Sequence, residues 1–488
     1  MLKQLVIAAG VLLASYLYSR LRYLRGRQYA HIPQLPNHLL WGHLKIFGEF
    51  MSRGTHDRHP DKIFEEMWIS IGRPPVMLVD LRPVNPPMVL VPSHSIAEQI
   101  SKPCQLFPLS FTTQHLWALL PLVLESMVPF LKYLDQFAIS GEEVSLEKLI
   151  SNLTFDVIGA AVLHADLNSQ QMDISKQGEL PRLFAELMDT YADDKNNLPW
   201  WIVPLTTLRR YRVAKRIEVL VQDTIRQRYT ELKEEAKGNR SRSIAALSFQ
   251  DTDALTPQLL SETSDQVRNF LFAGHDTTTS MLQWALYELS RTPRALKAVR
   301  DELDEIFGPH EVDPLSMCAS FAQSGEEIFP RLHYINAVIR ETLRLHPPAG
   351  STRMTPPGSG FAVRAPTGEE YNLDGTIMYL CHSVIQREPS VFGDTADVWV
   401  PERWLGEAGK NIPASAWRPF ERGPRNCIGS ELANLESRII ISIVARKYDF
   451  VKVGLGETDF GDNGLPVLDE NGQFKVKSQL YNDDRKAG

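Results

Sequence analysis

The run Phe420-Glu421-Arg422-Gly423-Pro424-Arg425-Asn426-Cys427-Ile428-Gly429 sets one cysteine in a frame of glycine, arginine and proline, just ahead of a helical stretch. A thiolate in such a frame is a candidate ligand for haem iron. There it pushes electron density onto the metal and favours O–O cleavage, whereas histidine suits oxygen carriage and peroxidases. Gly423 and Gly429 can take backbone angles closed to other residues, so the loop can turn sharply against a flat macrocycle. Pro424 stiffens the loop. Arg425 offers a forked donor suited to a buried carboxylate such as a haem propionate. Stripped of its frame, the same cysteine reads as a buried, inert thiol on a loop-to-helix turn.

Upstream, Ala273-Gly274-His275-Asp276-Thr277-Thr278 places small and hydroxyl side chains at the centre of a helical pattern. Glycine there costs about 1 kcal/mol relative to alanine, so close packing or a function must compensate. Ala273 and Gly274 would let a flat cofactor lie against the backbone. Gly274 and Thr277 are three apart and share a face. Thr277 is then placed to hydrogen-bond a small ligand or a water, and Asp276 to relay protons from solvent, a general-acid role. The plainer alternative is helix packing by small residues plus a threonine bonded back to its own helix. Farther on, Glu341 and Arg344 have the spacing of a helical ion pair. His275 reads as helix surface or substrate pocket, and His346 as a surface or satisfied core histidine. Cys381-His382 reads as a strand pair on opposite faces rather than a metal site.

Phe420, Gly423, Arg425, Cys427 and Gly429 match F-x-x-G-x-R-x-C-x-G at every fixed position, and residues 273–278 match [A/G]-G-x-[D/E]-T-[T/S]. With these motifs the chain resembles the cytochrome P-450 superfamily of haem-thiolate monooxygenases, microsomal type, closest in style to filamentous-fungal enzymes of secondary metabolism. The resemblance implies haem b with Cys427 as axial ligand, and proton delivery through Asp276 and Thr277 during dioxygen activation. It implies that Arg353 and Arg425 hold propionates, and that Glu341 and Arg344 of E-x-x-R join Arg403 of Pro401-Glu402-Arg403-Trp404 in a structural triad. Tryptophan stands there where the family has phenylalanine. The implied fold is mainly α with a smaller β-rich N-terminal region, in a single large domain enclosing the haem. The implied reaction inserts one oxygen atom from O2 into an apolar small molecule. No G-x-G-x-x-G follows a strand, so electrons are expected from an NADPH-dependent flavoprotein reductase, docked where Arg403, Arg418, Arg422 and Arg425 cluster in sequence. Alternatives are a haem-thiolate isomerase or dehydratase, and a haem-deficient, inactive or mis-spliced family member.

One family motif is missing. An earlier helix usually carries W-x-x-x-R toward the propionates, but the only such spacing is Trp399 to Arg403, and no Lys or Arg occurs between Lys102 and Lys132. The sequence reads as though text before Ser110 had been joined directly to text after a lost helix. A wrong exon boundary and real divergence both account for this; if the loss is real, Arg353 and Arg425 alone must meet the propionates.

These groups need elements to hold them. Thr256-Pro257 reads as a helix start and Thr292-Pro293 as a stop, framing a helix of roughly 35 residues, about 50 Å long, with the Ala273–Thr278 motif at its middle. Tyr334 to Leu345 reads as a short helix ended by Pro347-Pro348. Ile63 to Ile71, Met77 to Val84 and Met88 to Val91 read as strands of a small N-terminal sheet. Asp194 to Arg212, with Trp200 and Trp201, reads either as a packed loop or as a membrane-facing lid. Residues 1–24 read as a membrane anchor, with a cleaved secretory signal as the alternative, since Leu5 to Tyr18 is uncharged and Arg20, Arg22, Arg25 and Arg27 follow. Arginines on that side keep the body cytoplasmic, at the endoplasmic reticulum by the resemblance. Residues 25–37 read as a basic, proline-containing hinge, and 38–488 as the catalytic domain. At 488 residues and net charge -7, the chain lacks the basic footprint of a nucleic-acid binder. Its 4 cysteines include no C-x-x-C pair, which argues against a disulfide framework.

Overall fold

The computed structural model describes residues 2–54, 59–101, 113–193, 201–234, 254–309 and 313–477, with 243, 245 and 249 between them. The chain opens with α1 (Leu2–Gly26). Its span Lys3–Gly26 is long and apolar enough to cross a membrane and has none of its apolar window buried. The far end of α1 is fastened. Arg25 lies 2.6 Å from Asp80 and donates to the carbonyls of Leu40 and Arg82. Arg82 takes the other Asp80 oxygen at 2.8 Å. Burial alone would raise the Asp80 carboxyl; hydrogen bonds from Arg82 and Arg25 outweigh it and hold the group well below the usual carboxylate range. The stretch read as a hinge is therefore tied to the body: Asn37 donates to the Arg25 carbonyl, Leu78 N–H donates to Pro33, and Ile32 is buried.

After α2 (Leu44–Met51) comes a correction to the strand expected at Ile63–Ile71, which is helix α3 (Pro60–Ser70). The His59 ring accepts from Asp61 N–H, Pro60 sits at the first turn, and Ile63, Phe64 and Met67 recur on one buried face, so start signals and a helical period both win. The strand β2 (Met88–Val91) is as expected, whereas β1 (Met77–Val79) stops short of the expected Val84, because residues 82–84 form a turn. They do not form a sheet of their own. β3 (Ser351–Met354), β4 (Ala362–Arg364), β5 (Glu370–Asn372) and β6 (Ile377–Leu380) follow far along the chain. The four-stranded sheet runs β1-β2-β6-β3, with β2 and β6 parallel and the other pairs antiparallel, while β4 and β5 form a separate hairpin. The β-rich layer is thus assembled from both ends of the sequence, because two-residue alternation specifies a strand but not its partner.

Helices make the rest. α4 (His94–Ser101), α5 (Thr113–Ser140), α6 (Leu146–Leu163), α7 (Glu179–Asp193) and α8 (Pro204–Glu234) lead to α9 (Pro257–Arg291). α9 is the 35-residue helix expected from its ends: the Thr256 hydroxyl accepts from Leu259 N–H, and Pro257 occupies the first turn. It runs through the core beside α6, where the Thr154 and Thr279 hydroxyls pair at 2.8 Å. α10 (Pro293–Phe307), α11 (Pro314–Ile328) and α12 (His333–Leu345) continue, then short α13 (His382–Ile385), α14 (Pro389–Phe392) and α15 (Gly406–Lys410), and finally α16 (Ser430–Lys447). One large apolar core joins α5, α6, α9, α12 and α16. Of the aromatic stretch 194–212, residues 194–200, including Trp200, lie outside the described residues; Trp201, Leu205 and Tyr211 are exposed at the start of α8. The junction at Ser110-Phe111 also lies outside them.

Candidate active site

The loop before α16 is shaped by its glycines. Gly423 has φ +77°, and a Cβ there would stand 2.3 Å from the Ser101 carbonyl oxygen of α4, so no side chain fits. Pro424 then opens a single 3-10 turn, and Cys427 N–H donates to the Phe420 carbonyl at 2.7 Å. This returns the cysteine beneath Phe420, at the N-terminus of α16. The Cys427 thiol opens on a cavity of about 300 Å³, within the range of small-molecule sites. Burial pushes the thiol up, against N–H groups of Gly429 and Ser430 that favour the thiolate. Cys318 and Cys381 are buried elsewhere, and Cys104 lies outside the described residues.

α9 forms the opposing wall. Ala273, Gly274 and Thr277 line the same cavity as Phe420, Arg425, Cys427 and Gly429. The Gly274 position where a Cβ would stand faces α6, 2.7 Å from Ile158 Cδ1 and Cγ1, so its small size also serves helix packing. Thr277 Oγ1 donates to the Ala273 carbonyl at 2.7 Å, leaving its lone pairs to accept. Asp276 is exposed and does not line the cavity. His275 is corrected from surface or pocket to core: it is buried, its Nδ1 is 2.7 Å from the Leu271 carbonyl, and its ring packs on Phe155 and Phe184. His346 is a satisfied core histidine, stacked on Trp284 and 3.0 Å from Glu288.

Behind the cavity, Glu341, Arg344 and Arg403 meet as their spacing and motif suggested. Arg344 is wholly buried and every guanidinium N–H is used: Nε and Nη2 on Glu341 at 2.9 Å, the others on the carbonyls of Gln386, Ala396 and Val398. Glu341 also accepts from Arg403 Nε at 2.9 Å, Val400 N–H at 2.8 Å and Trp404 Nε1 at 2.9 Å. The tryptophan that replaces the family's phenylalanine thus brings an extra donor to a buried carboxylate.

The arginines expected to form a docking face are not a face. Arg418 is buried and gives its guanidinium to Glu421 and Ser101, Arg403 belongs to the Glu341 cluster, and Arg422 pairs with Glu98 at 3.0 Å. Arg425 alone of the set is exposed. Proximity in sequence misled because the loop turns successive side chains to different sides. Arg353, in β3, reaches Glu421 at 3.7 Å and sits beside the cavity rather than in its lining. Glu421 itself carried no sequence signal. It takes φ +57°, and although burial would raise its carboxyl, the neighbouring His382 and Arg418 hold it well below the usual range. His382 is corrected too: β6 ends at Leu380, Cys381 precedes α13, and His382 opens that helix and lines the cavity. Glu436 of α16 lines the cavity as well; burial pushes its carboxyl up to about 8, and its Oε1 has no hydrogen-bond partner.

The arrangement fits a haem. A thiol emerges at one wall, residues without bulk form the other, and Arg425 stands at the edge with no hydrogen bond or ion pair among the described residues. Comparison with known proteins agrees. The family model for cytochrome P-450 matches residues 105–476. The cytochrome P-450 monooxygenase acrF of Aspergillus aculeatus is 28% identical over 77% of this chain and 80% of its own length. The cytochrome P-450 monooxygenase polC of Polytolypa hystricis is 24% identical over 89% and 84%. A bifunctional cytochrome P-450/NADPH–P-450 reductase, ascE of Acremonium egyptiacum, is 36% identical over 37% of this chain and 16% of its own. Among solved structures, the haem domain of cytochrome P-450DA superposes with a TM-score of 0.61 at 18% identity, covering 91% of this chain and 95% of that one, which speaks for the fold. The chain is a haem-dependent oxygenase with a cysteine thiolate on its iron, and it belongs to the cytochrome P-450 family.

Proposed function

We propose that the protein inserts one oxygen atom from O2 into an apolar small molecule of secondary metabolism, with electrons from a separate NADPH-dependent flavoprotein reductase. One observation carries this reading: the Cys427 thiol and the Ala273–Thr277 wall open on the same cavity. Cys427 would hold the iron and Arg425 and Arg353 the haem carboxylates, while Phe420, Gly423 and Gly429 shape the loop around them. Once bound, the haem supplies dioxygen activation, favoured by its thiolate ligand.

The chain's own residues then have distinct tasks. Thr277 Oγ1 can accept a hydrogen bond, from a water for instance, while its own O–H donates to the Ala273 carbonyl. Asp276, exposed next door, can exchange protons with solvent and pass them toward that hydroxyl through water. Apolar side chains such as Ile158, Phe270 and Leu343 exclude bulk water and suit an apolar substrate. The bifunctional relative's name, which pairs a cytochrome P-450 with an NADPH reductase, supports the proposed electron source. α1 is proposed to anchor the body at the endoplasmic reticulum, with Arg20, Arg22 and Arg27 on the cytoplasmic side.

Apolar compounds that shift the Soret band of the purified protein would be incubated with NADPH, a flavoprotein reductase and isotopically labelled O2. One labelled atom per product molecule, dependent on NADPH, is the expected result. Turnover without NADPH or without label would overturn the proposal in favour of an isomerase or dehydratase.

A further inference from the structure

His382 stands out among the cavity-lining residues. It is 2% exposed, and neither ring nitrogen has a hydrogen-bond partner. A buried polar group left in that state is costly, and a partner that arrives with the cofactor would relieve it. Its surroundings say what kind. Glu421 Oε2 lies 3.5 Å from His382 Nε2 and 3.7 Å from Arg353 Nη2, so one carboxylate oxygen can stand beside both groups. That oxygen makes no hydrogen bond, whereas Glu421 Oε1 is engaged by Arg418, Ser101 and the Arg422 N–H. Arg425, on the same cavity, makes no hydrogen bond or ion pair among the described residues. Arg353 and His382 therefore stand beside one unbonded Glu421 oxygen, and with Arg425 on the lining His382 shares they carry more donors than Glu421 satisfies; a carboxylate is the ligand that matches them.

We propose that His382 donates a hydrogen bond to a carboxylate side chain of the haem, beside Arg353 and Arg425. A neutral imidazole has the single N–H this requires. His382 belongs to none of the sequence motifs; it supplies a donor where the absent W-x-x-x-R leaves the cofactor's carboxylates with two arginines. The proposal rests on the haem-thiolate reading of Cys427, and the following experiment separates the two.

Apoprotein of the wild type, His382→Leu and His382→Gln would be reconstituted with haem or with haem dimethyl ester, whose carboxylates are blocked. Haem loss to excess apomyoglobin would then be followed in the Soret region, with far-UV circular dichroism as a control for folding. Loss of haem should be roughly tenfold faster in His382→Leu. It should be intermediate in His382→Gln, which keeps a donor, and indistinguishable among all three proteins with the dimethyl ester. Equal rates with haem, or the same acceleration with the ester, would overturn the role of His382 while leaving the thiolate spectrum of the wild type intact. A wild type that takes up no haem would overturn both.

Discussion

Replacing Glu341 by glutamine tests whether the cluster behind the cavity is structural. The Glu341 carboxylate accepts from both Arg344 nitrogens, Arg403, Val400 and Trp404, and it is fully buried. Glutamine keeps one acceptor oxygen and turns an NH2 toward N–H donors, leaving the wholly buried Arg344 charge without its carboxylate. Breaking a buried pair in this way costs about 3–5 kcal/mol. Against a total stability of about 5–15 kcal/mol, that is a large fraction. Trp404→Phe provides the internal scale. It removes one donor and leaves the Arg344 bonds in place, so it should cost about 1.5 kcal/mol, the low end for a bond to a charged group. Urea unfolding at matched haem loading would give both values, and turnover per bound haem would be measured alongside. Glu341→Gln is expected to destabilise at least twice as much as Trp404→Phe, with turnover per haem nearly unchanged in both. If Glu341→Gln cost no more than Trp404→Phe, or if turnover per haem collapsed while stability held, the structural assignment would be refuted.

Three further outcomes are expected. Gly423→Ala places a Cβ 2.3 Å from the Ser101 carbonyl at a left-handed φ, so the cysteine loop must move; haem content after expression should fall severalfold, and unchanged content would contradict the assigned fit. Gly274→Ala meets Ile158 at 2.7 Å; overpacking costs about 1–3 kcal/mol, of which helix propensity returns about 1. Adding Ile158→Ala should recover part of any loss, and strict additivity of the two substitutions in urea unfolding would count against direct contact. Glu436 keeps its proton to about 8 in the folded state, whereas an ordinary Glu has lost it by then. The folded state therefore binds more protons above the ordinary range, and stability should fall with rising pH by about 1.4 kcal/mol per unit until that value is reached. Urea midpoints of Glu436→Gln should lack this component; parallel pH profiles for variant and wild type would exclude it.

What the sequence makes legible is local. The ends of α9 are written in Thr256-Pro257 and Thr292-Pro293 because capping and proline geometry act within a turn. The Cys427 frame and the Glu341–Arg344 spacing are legible for the same reason. Long-range pairing is not: nothing near Met88–Val91 says that its neighbour is Ile377–Leu380. Side-chain direction within irregular loops is equally hidden, so Arg418 and Arg422 looked like a surface although one is buried and the other paired. His382 is illegible for the same reason, since a histidine after a strand resembles any other until the fold places it on the cavity. Trp404 was the exception, a visible departure from the family pattern whose reason is the Glu341 carboxylate.

The most direct measurement is the carbon-monoxide difference spectrum of the reduced holoprotein, recorded for the wild type and for Cys427→His. The wild type should show the red-shifted Soret band of thiolate-ligated haem, and Cys427→His should lose it in favour of the band of imidazole-ligated haem. A wild type with the imidazole-type band, or with no bound haem, would contradict Cys427 as the iron ligand.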